Sequence, residues 1–121
     1  MKGYHKLQNI RKKPVHKPKS TTPNKIEFLL LGIISYYKLP FKYTGNGTYY
    51  IENKNPDFVS LETGKIIELF GKYWHKDINE PSERTTLFKS FGFDTLIIYD
   101  TELTAKNLGR VINKMIQFSR R

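Results

Sequence analysis

Residues 55–75, NPDFVSLETGKIIELFGKYWH, place two carboxylates and an imidazole where few polar groups belong. Asp57 opens a short apolar run, Glu68 interrupts the run Ile66-Ile67-Glu68-Leu69-Phe70, and His75 follows a few residues later. A charge buried among branched and aromatic side chains is costly unless a cation or a proton donor meets it. Acids in two neighbouring strands therefore read as a built site. Phosphodiester hydrolysis needs such a pair, because carboxylates hold a hard divalent cation, Mg²⁺ or Mn²⁺, beside the scissile phosphate. Strand alternation puts Glu68 and Phe70 on one face and Ile67 and Leu69 on the other, and the Leu69 carbonyl can then turn towards the same ion. His75 suits the remaining task, since a neutral imidazole accepts a proton from water near pH 7. Each group also has a plainer reading. Asp57 after Pro56 could cap a turn, Glu68 could face solvent on an edge strand, and a lone His75 is more often structural.

The elements that must position these groups follow from periodicity. Thr22-Pro23 reads as an N-cap and first helical residue, and a helix over 25–38 carries Ile26, Leu29, Leu30, Ile33, Ile34 and Tyr37 at helical spacing. Phe28, Leu31 and Tyr36 widen its apolar face, so it is expected to be largely covered. Glu27 sits in its first turn, where the helix dipole favours a carboxylate. Gly45-Asn46-Gly47 predicts a hairpin between strands at 41–44 and 48–52. A second antiparallel pair, 57–61 and 66–70, turns at Glu62-Thr63-Gly64-Lys65. Beyond a polar loop at 71–81, a helix over 82–91 is closed by Gly92. The apolar run 95–99 reads as a strand covered on both faces, and 105–118 as a final helix. A strand reached through a helical crossover joins its sheet in parallel, so the expected fold is α/β, a mixed sheet flanked by helices.

Charge divides the chain in two. Of 121 residues, 21 are Lys or Arg and 11 are Asp or Glu, and the first 26 residues hold eight of the basic ones and no acid, leaving 13 against 11 elsewhere. Residues 1–22 therefore read as a basic, flexible arm and 23–121 as one domain. Such an arm marks contact with a polyanion, and Lys12, Lys13, Lys17 and Lys19 are its candidate phosphate ligands. Pro14, Pro18 and Pro23 stop one amphipathic helix from running through it, which argues against a membrane surface. No apolar stretch is long enough to span a bilayer, and the Lys- and Pro-rich start is unlike a secretory signal. With no cysteine, thiolate zinc sites and cysteine nucleophiles are excluded, which fits a cytoplasmic setting. The expected localisation is cytoplasmic and nucleoid-associated, in a prokaryote or virus-infected cell.

Pro56-Asp57, Ile66-Ile67-Glu68 and Gly71-Lys72-Tyr73-Trp74-His75 resemble the motif region of the PD-(D/E)-x-K nuclease superfamily. More narrowly they are similar to the branch of very-short-patch-repair (Vsr) mismatch endonucleases and related homing endonucleases. The resemblance runs from about Lys25 to Leu103, with Asn24-Lys25-Ile26-Glu27 matching the helix of an early acid and Phe91-Gly92-Phe93 leading into a later strand. It implies a restriction-endonuclease-like fold, Asp57 as central metal ligand, Glu68 as a further acid, the Leu69 carbonyl as a backbone ligand, His75 as general base and Glu27 in support. Tyr73 and Trp74 match aromatics that wedge into the DNA stack, although a loop tryptophan is otherwise more often a core or rim residue. The sequence departs from the pattern at Phe70, where the superfamily carries a lysine. It also lacks the cysteines of the repair enzymes' zinc site. The acid that would support the histidine has no clean match, with Glu80 or Glu83 as substitutes, and Arg84 is a further candidate phosphate ligand.

These features favour a Mg²⁺-dependent endonuclease acting on double-stranded DNA, as monomer or homodimer. A nuclease fold that only binds nucleic acid is the alternative, kept open by Phe70 and the unmatched histidine partner. A basic RNA-associated protein would leave the two core acids unexplained.

Overall fold

The computed structural model describes residues 23–71 and 79–121. The predicted arm and the Tyr73, Trp74 and His75 segment lie outside these residues. In chain order the elements are α1 (Lys25–Tyr36), β1 (Lys42–Tyr43), β2 (Phe58–Ser60), β3 (Lys65–Phe70), α2 (Glu80–Ser90), β4 (Asp94–Tyr99), a 3-10 turn (Asp100–Glu102) and α3 (Leu108–Arg120). The sheet order is β1-β2-β3-β4. β1, β2 and β3 pair antiparallel and β4 joins β3 in parallel, with Glu68 beside Ile97 and Phe70 beside Tyr99. The α/β mixed sheet flanked by helices is thus the expected one. β3 is its central strand and brings Glu68 inside.

Alternation along β2 and β3 divides the core. Phe58 and Ile67 face α1 and α3, where Leu30, Ile33, Ile34, Val111, Met115 and Phe118 bury against them. Val59 and Ile66 face the other way, onto Phe88 of α2, Phe93, Tyr49 and Ile51. Gly92, at φ 93°, ends α2 as predicted, with the Phe93 N–H donating to the Phe88 carbonyl at 3.0 Å. Buried Lys65 is satisfied at the C-terminus of α3, where its Nζ donates to the carbonyls of Ser119, at 3.3 Å, and Arg121.

Four expectations are corrected. The hairpin across Gly45-Asn46-Gly47 does not form, because β1 spends its ladder on β2, with Lys42 opposite Val59 and Tyr43 opposite Phe58. Asn55 holds the intervening loop, its Nδ2 donating to the carbonyls of Thr44 and Tyr49, each at 2.7 Å. α1 begins at Lys25 as expected, but its N-cap is Asn24, two residues after Thr22, and Asn24 forms a reciprocal capping box with Glu27. Its outer side is open, with Phe28 70% and Tyr36 78% exposed. Finally β4 is an edge strand among the described residues, and of the run 95–99 Ile98 is buried, Thr95, Leu96 and Ile97 are half-buried and Tyr99 is exposed rather than covered.

Candidate active site

Three chain directions converge at one end of the sheet. β3 and β4 are parallel and finish there, antiparallel β2 starts there, and α1 points its N-terminus at the same place. A cavity of about 400 Å³ opens between them, and Glu27, Asp57, Leu69, Gly71 and Asp100 are on its wall. A larger hollow, about 550 Å³, lies along the outer face of α1, and among the described residues no carboxylate or imidazole lines it. The chemistry is at the smaller one.

Asp57 and Glu68 are brought together as predicted, each tied to the other's strand. The Asp57 N–H donates to Glu68 Oε2 at 3.0 Å, and the Leu69 N–H donates to Asp57 Oδ2 at 2.8 Å. Carboxylates replace the ladder bonds that would otherwise continue past Phe58. The two acids differ in role. Glu68 is 1% exposed and is not on the cavity wall, and its Oε1 accepts from Arg84 Nε at 2.5 Å. Asp57 is half-buried on the wall, and among the described residues no hydrogen bond reaches its Oδ1. Burial foremost, then the negative charges of Glu68 and Glu27, push the Asp57 carboxyl up to about 7, against the opposing pull of the Leu69 N–H and Arg84. Burial likewise raises Glu68 above the ordinary glutamate range, against the pull of Arg84.

Arg84 serves the interior. Besides Glu68 it donates through a terminal nitrogen to the Asn55 carbonyl at 3.1 Å, and its guanidinium lies 5.4 Å from the centre of the Phe88 ring. It therefore fixes Glu68, and through Glu68 the Asp57 backbone, instead of standing out towards a phosphate. Glu80 approaches Arg84 to 4.0 Å. The segment that carries His75 is outside the described residues, so neither Glu80 nor Glu83 is placed relative to the imidazole.

Glu27 faces the same cavity from α1. Its Oε1 accepts the Asn24 N–H at 3.0 Å and the Tyr43 hydroxyl at 2.9 Å. Tyr43 packs against Phe58 with ring centres 5.5 Å apart. Burial foremost, then the hydrogen bond to Glu27, holds its phenol far above the usual range, so it keeps its proton and donates. Gly45 makes room for this arrangement. A Cβ there would lie 2.8 Å from Tyr43 Cε1 and 3.2 Å from Asp57 Oδ1. Gly45→Ala is expected to cost about 1–3 kcal/mol of stability by overpacking, measured by urea unfolding. An unchanged midpoint would mean that the two side chains are not held where they stand.

Tyr43, Gly45, Asn55 and Asp100 have no site role in the sequence reading, where Gly45 figures only as a turn residue. Asp100 was accessible in principle, since a parallel β4 must end beside Phe70 and Gly71. Tyr43 was not, because its neighbours depend on β1 pairing with β2 and not across the glycine turn.

No protein-family model and no curated protein matches the sequence. Among solved structures, the chain is similar to the catalytic domain of the homing endonuclease I-Bth0305I, at 24% identity and a TM-score of 0.62, covering 82% of this chain and 94% of that one. The mixed sheet and its flanking helices are therefore a fold shared with a homing endonuclease catalytic domain.

Proposed function

We propose that this chain is a divalent-metal-dependent endonuclease that hydrolyses phosphodiester bonds in double-stranded DNA, of the Vsr-like or homing type within the PD-(D/E)-x-K superfamily. The observation that carries the reading is the meeting of acids on one cavity wall, Asp57 and Glu27 with Asp100, with Asp57 pushed up to about 7 by burial foremost and then by the negative charges of Glu68 and Glu27. Among the described residues no three His, Cys, Asp or Glu side chains form a complete metal cage. One or two carboxylates with a backbone carbonyl and water still fit Mg²⁺ or Mn²⁺, which keep much of their hydration when they bind. Asp57 and the Leu69 carbonyl would hold the ion, with Glu27 alongside. When bound, it supplies charge stabilisation at the scissile phosphate.

The chain's own groups do the rest. Arg84 and Glu68 fix the backbone at Asp57, His75 takes the proton of the attacking water, and the Tyr73-Trp74 segment enters or deforms the duplex. Lys12, Lys13, Lys17 and Lys19 grip phosphates, a contact that weakens steeply with salt. Arg84 is too engaged with Glu68 to share that task.

The test is a plasmid incubated with the protein and Mg²⁺, with EDTA as the control. Asp57→Ala and His75→Ala are each expected to lose about 100-fold or more of the cleavage rate. Cleavage by both variants at the wild-type rate would remove this mechanism. A second reading draws on the capture of Glu68 by Arg84 and on Phe70 in place of a lysine: a nuclease fold that binds DNA without cutting it. Salt-sensitive DNA binding with no cleavage and no stabilisation by Mg²⁺ or Mn²⁺ would favour it.

A further inference from the structure

The turn that follows β1 is stitched to the start of β2. The N–H groups of Thr44 and Gly45 both donate to the Asp57 carbonyl, at 2.8 and 3.0 Å, and Thr44 Oγ1 donates to the Pro56 carbonyl at 2.7 Å. Asn55 Nδ2 closes the same patch by donating to the Thr44 carbonyl at 2.7 Å. Tyr43 and Asp57 are thus parts of one rigid corner. Glu27 arrives from a separate element. Left to α1 alone, its carboxylate is drawn back to its own helix by the Asn24 N–H of the capping box. The Tyr43 hydroxyl takes the same oxygen, Oε1, at 2.9 Å from the sheet side. Among the described residues Oε2 accepts no hydrogen bond, and Glu27 and Asp57 share the cavity wall.

From this geometry we infer that Tyr43 is a positioning residue of the site, acting on Glu27. Its hydroxyl ties the carboxylate of α1 to the corner that carries Asp57, so that the two acids present one preformed pair to a divalent cation. The inference rests on the metal-dependent reading above and adds to it a residue that does not line the cavity itself. Two-residue β1 has its reason here, since without its pairing to β2 the phenol would not reach α1. Tyr43→Phe keeps the ring against Phe58 and removes only the bond to Glu27.

The experiment is titration of Mn²⁺ into wild type, Tyr43→Phe, Glu27→Gln and the double variant by calorimetry, with thermal unfolding of the metal-free proteins and plasmid cleavage alongside. Removing a group that orients a ligand typically weakens metal affinity by about 10-fold or more. Tyr43→Phe is expected to show that loss, with a parallel fall in cleavage rate and a nearly unchanged KM for DNA. In the Glu27→Gln background the same substitution should change Mn²⁺ affinity less than about 2-fold, because the phenol acts through Glu27. Wild-type Mn²⁺ affinity in Tyr43→Phe, or an equal loss in both backgrounds, would overturn the role of Tyr43 and leave the endonuclease standing. Wild-type protein that neither takes up Mn²⁺ nor cuts DNA would remove the endonuclease and the role of Tyr43 together.

Discussion

Replacing Arg84 by Met is expected to cost about 3–5 kcal/mol of folding stability, the usual penalty for breaking a buried ion pair from one side. Glu68 is 1% exposed and Arg84 has 13% of its side chain exposed, so water cannot take over when the guanidinium is lost. Glu68 would keep only the Asp57 N–H, which holds Oε2. For a domain of this size the loss corresponds to a fall in Tm on the order of 10–20 °C. Glu68→Ala should cost a similar amount by stranding Arg84, which keeps the Asn55 carbonyl at 3.1 Å and Glu80 at 4.0 Å. The pair itself contributes much less than either deletion implies, because both charges had to leave water to form it. Glu68→Gln combined with Arg84→Met leaves no stranded charge and a side-chain carbonyl for the Asp57 N–H. The double variant is therefore expected to recover at least half of the single-variant loss. Urea unfolding of the four proteins closes the cycle. A loss under 1 kcal/mol for Arg84→Met would show that the pair is solvated and does not hold the Asp57 corner.

What the residues disclosed in advance, and what they did not, divides by range. Periodicity is local, so the cores of α1, β3, α2 and α3 could be read directly, as could the glycine that ends α2. The parallel placement of β4 followed from its helical crossover, a rule of connection that needs no distant contact. The convergence of Asp57 and Glu68 followed from a short turn between two strands. The failed hairpin was a competition between partners. Gly45-Asn46-Gly47 is a good local turn, yet Lys42 and Tyr43 found β2 instead, and a buried Asn55 satisfied the displaced backbone. A contact across the chain outweighed a local preference, as tertiary packing often does for strands. The same limit hid the inward use of Arg84, which from sequence is an exposed cation on a polar helix. Its partner is 16 residues away in sequence and its acceptor at Asn55 is 29 away. Glu68 could be recognised as too buried to be idle. That its charge is met by an arginine from within, leaving Glu27 and Asp100 to share the cavity wall with Asp57, required the fold.

The position of Asp57 predicts a protein that becomes more stable when its site is disabled. Asp57→Asn retains an oxygen to accept the Leu69 N–H and removes the charge that burial, Glu68 and Glu27 oppose. The sign follows from linkage. In the folded protein this carboxyl holds its proton up to about 7, whereas its ordinary value is 3.8. Between those two values the folded chain binds more protons than the unfolded one, so the ionisable Asp57 makes stability fall as pH rises from 3.8 towards 7, with no further loss above. Below 3.8 both states are protonated and the penalty vanishes. In metal-free buffer at pH 8, Asp57→Asn should therefore be more stable than wild type by on the order of 1–4 kcal/mol, while at pH 4 the two should nearly coincide. Adding Mg²⁺ or Mn²⁺ at pH 8 is expected to raise the wild-type Tm and close the gap, because binding to the folded state alone stabilises it. The variant should not respond and should cut plasmid about 100-fold more slowly or worse. Thermal unfolding across pH, with and without the cation, reads all of these. An Asp57→Asn protein less stable than wild type at pH 8 would mean that the carboxylate is already compensated, and that the cavity holds no unmet demand for a cation.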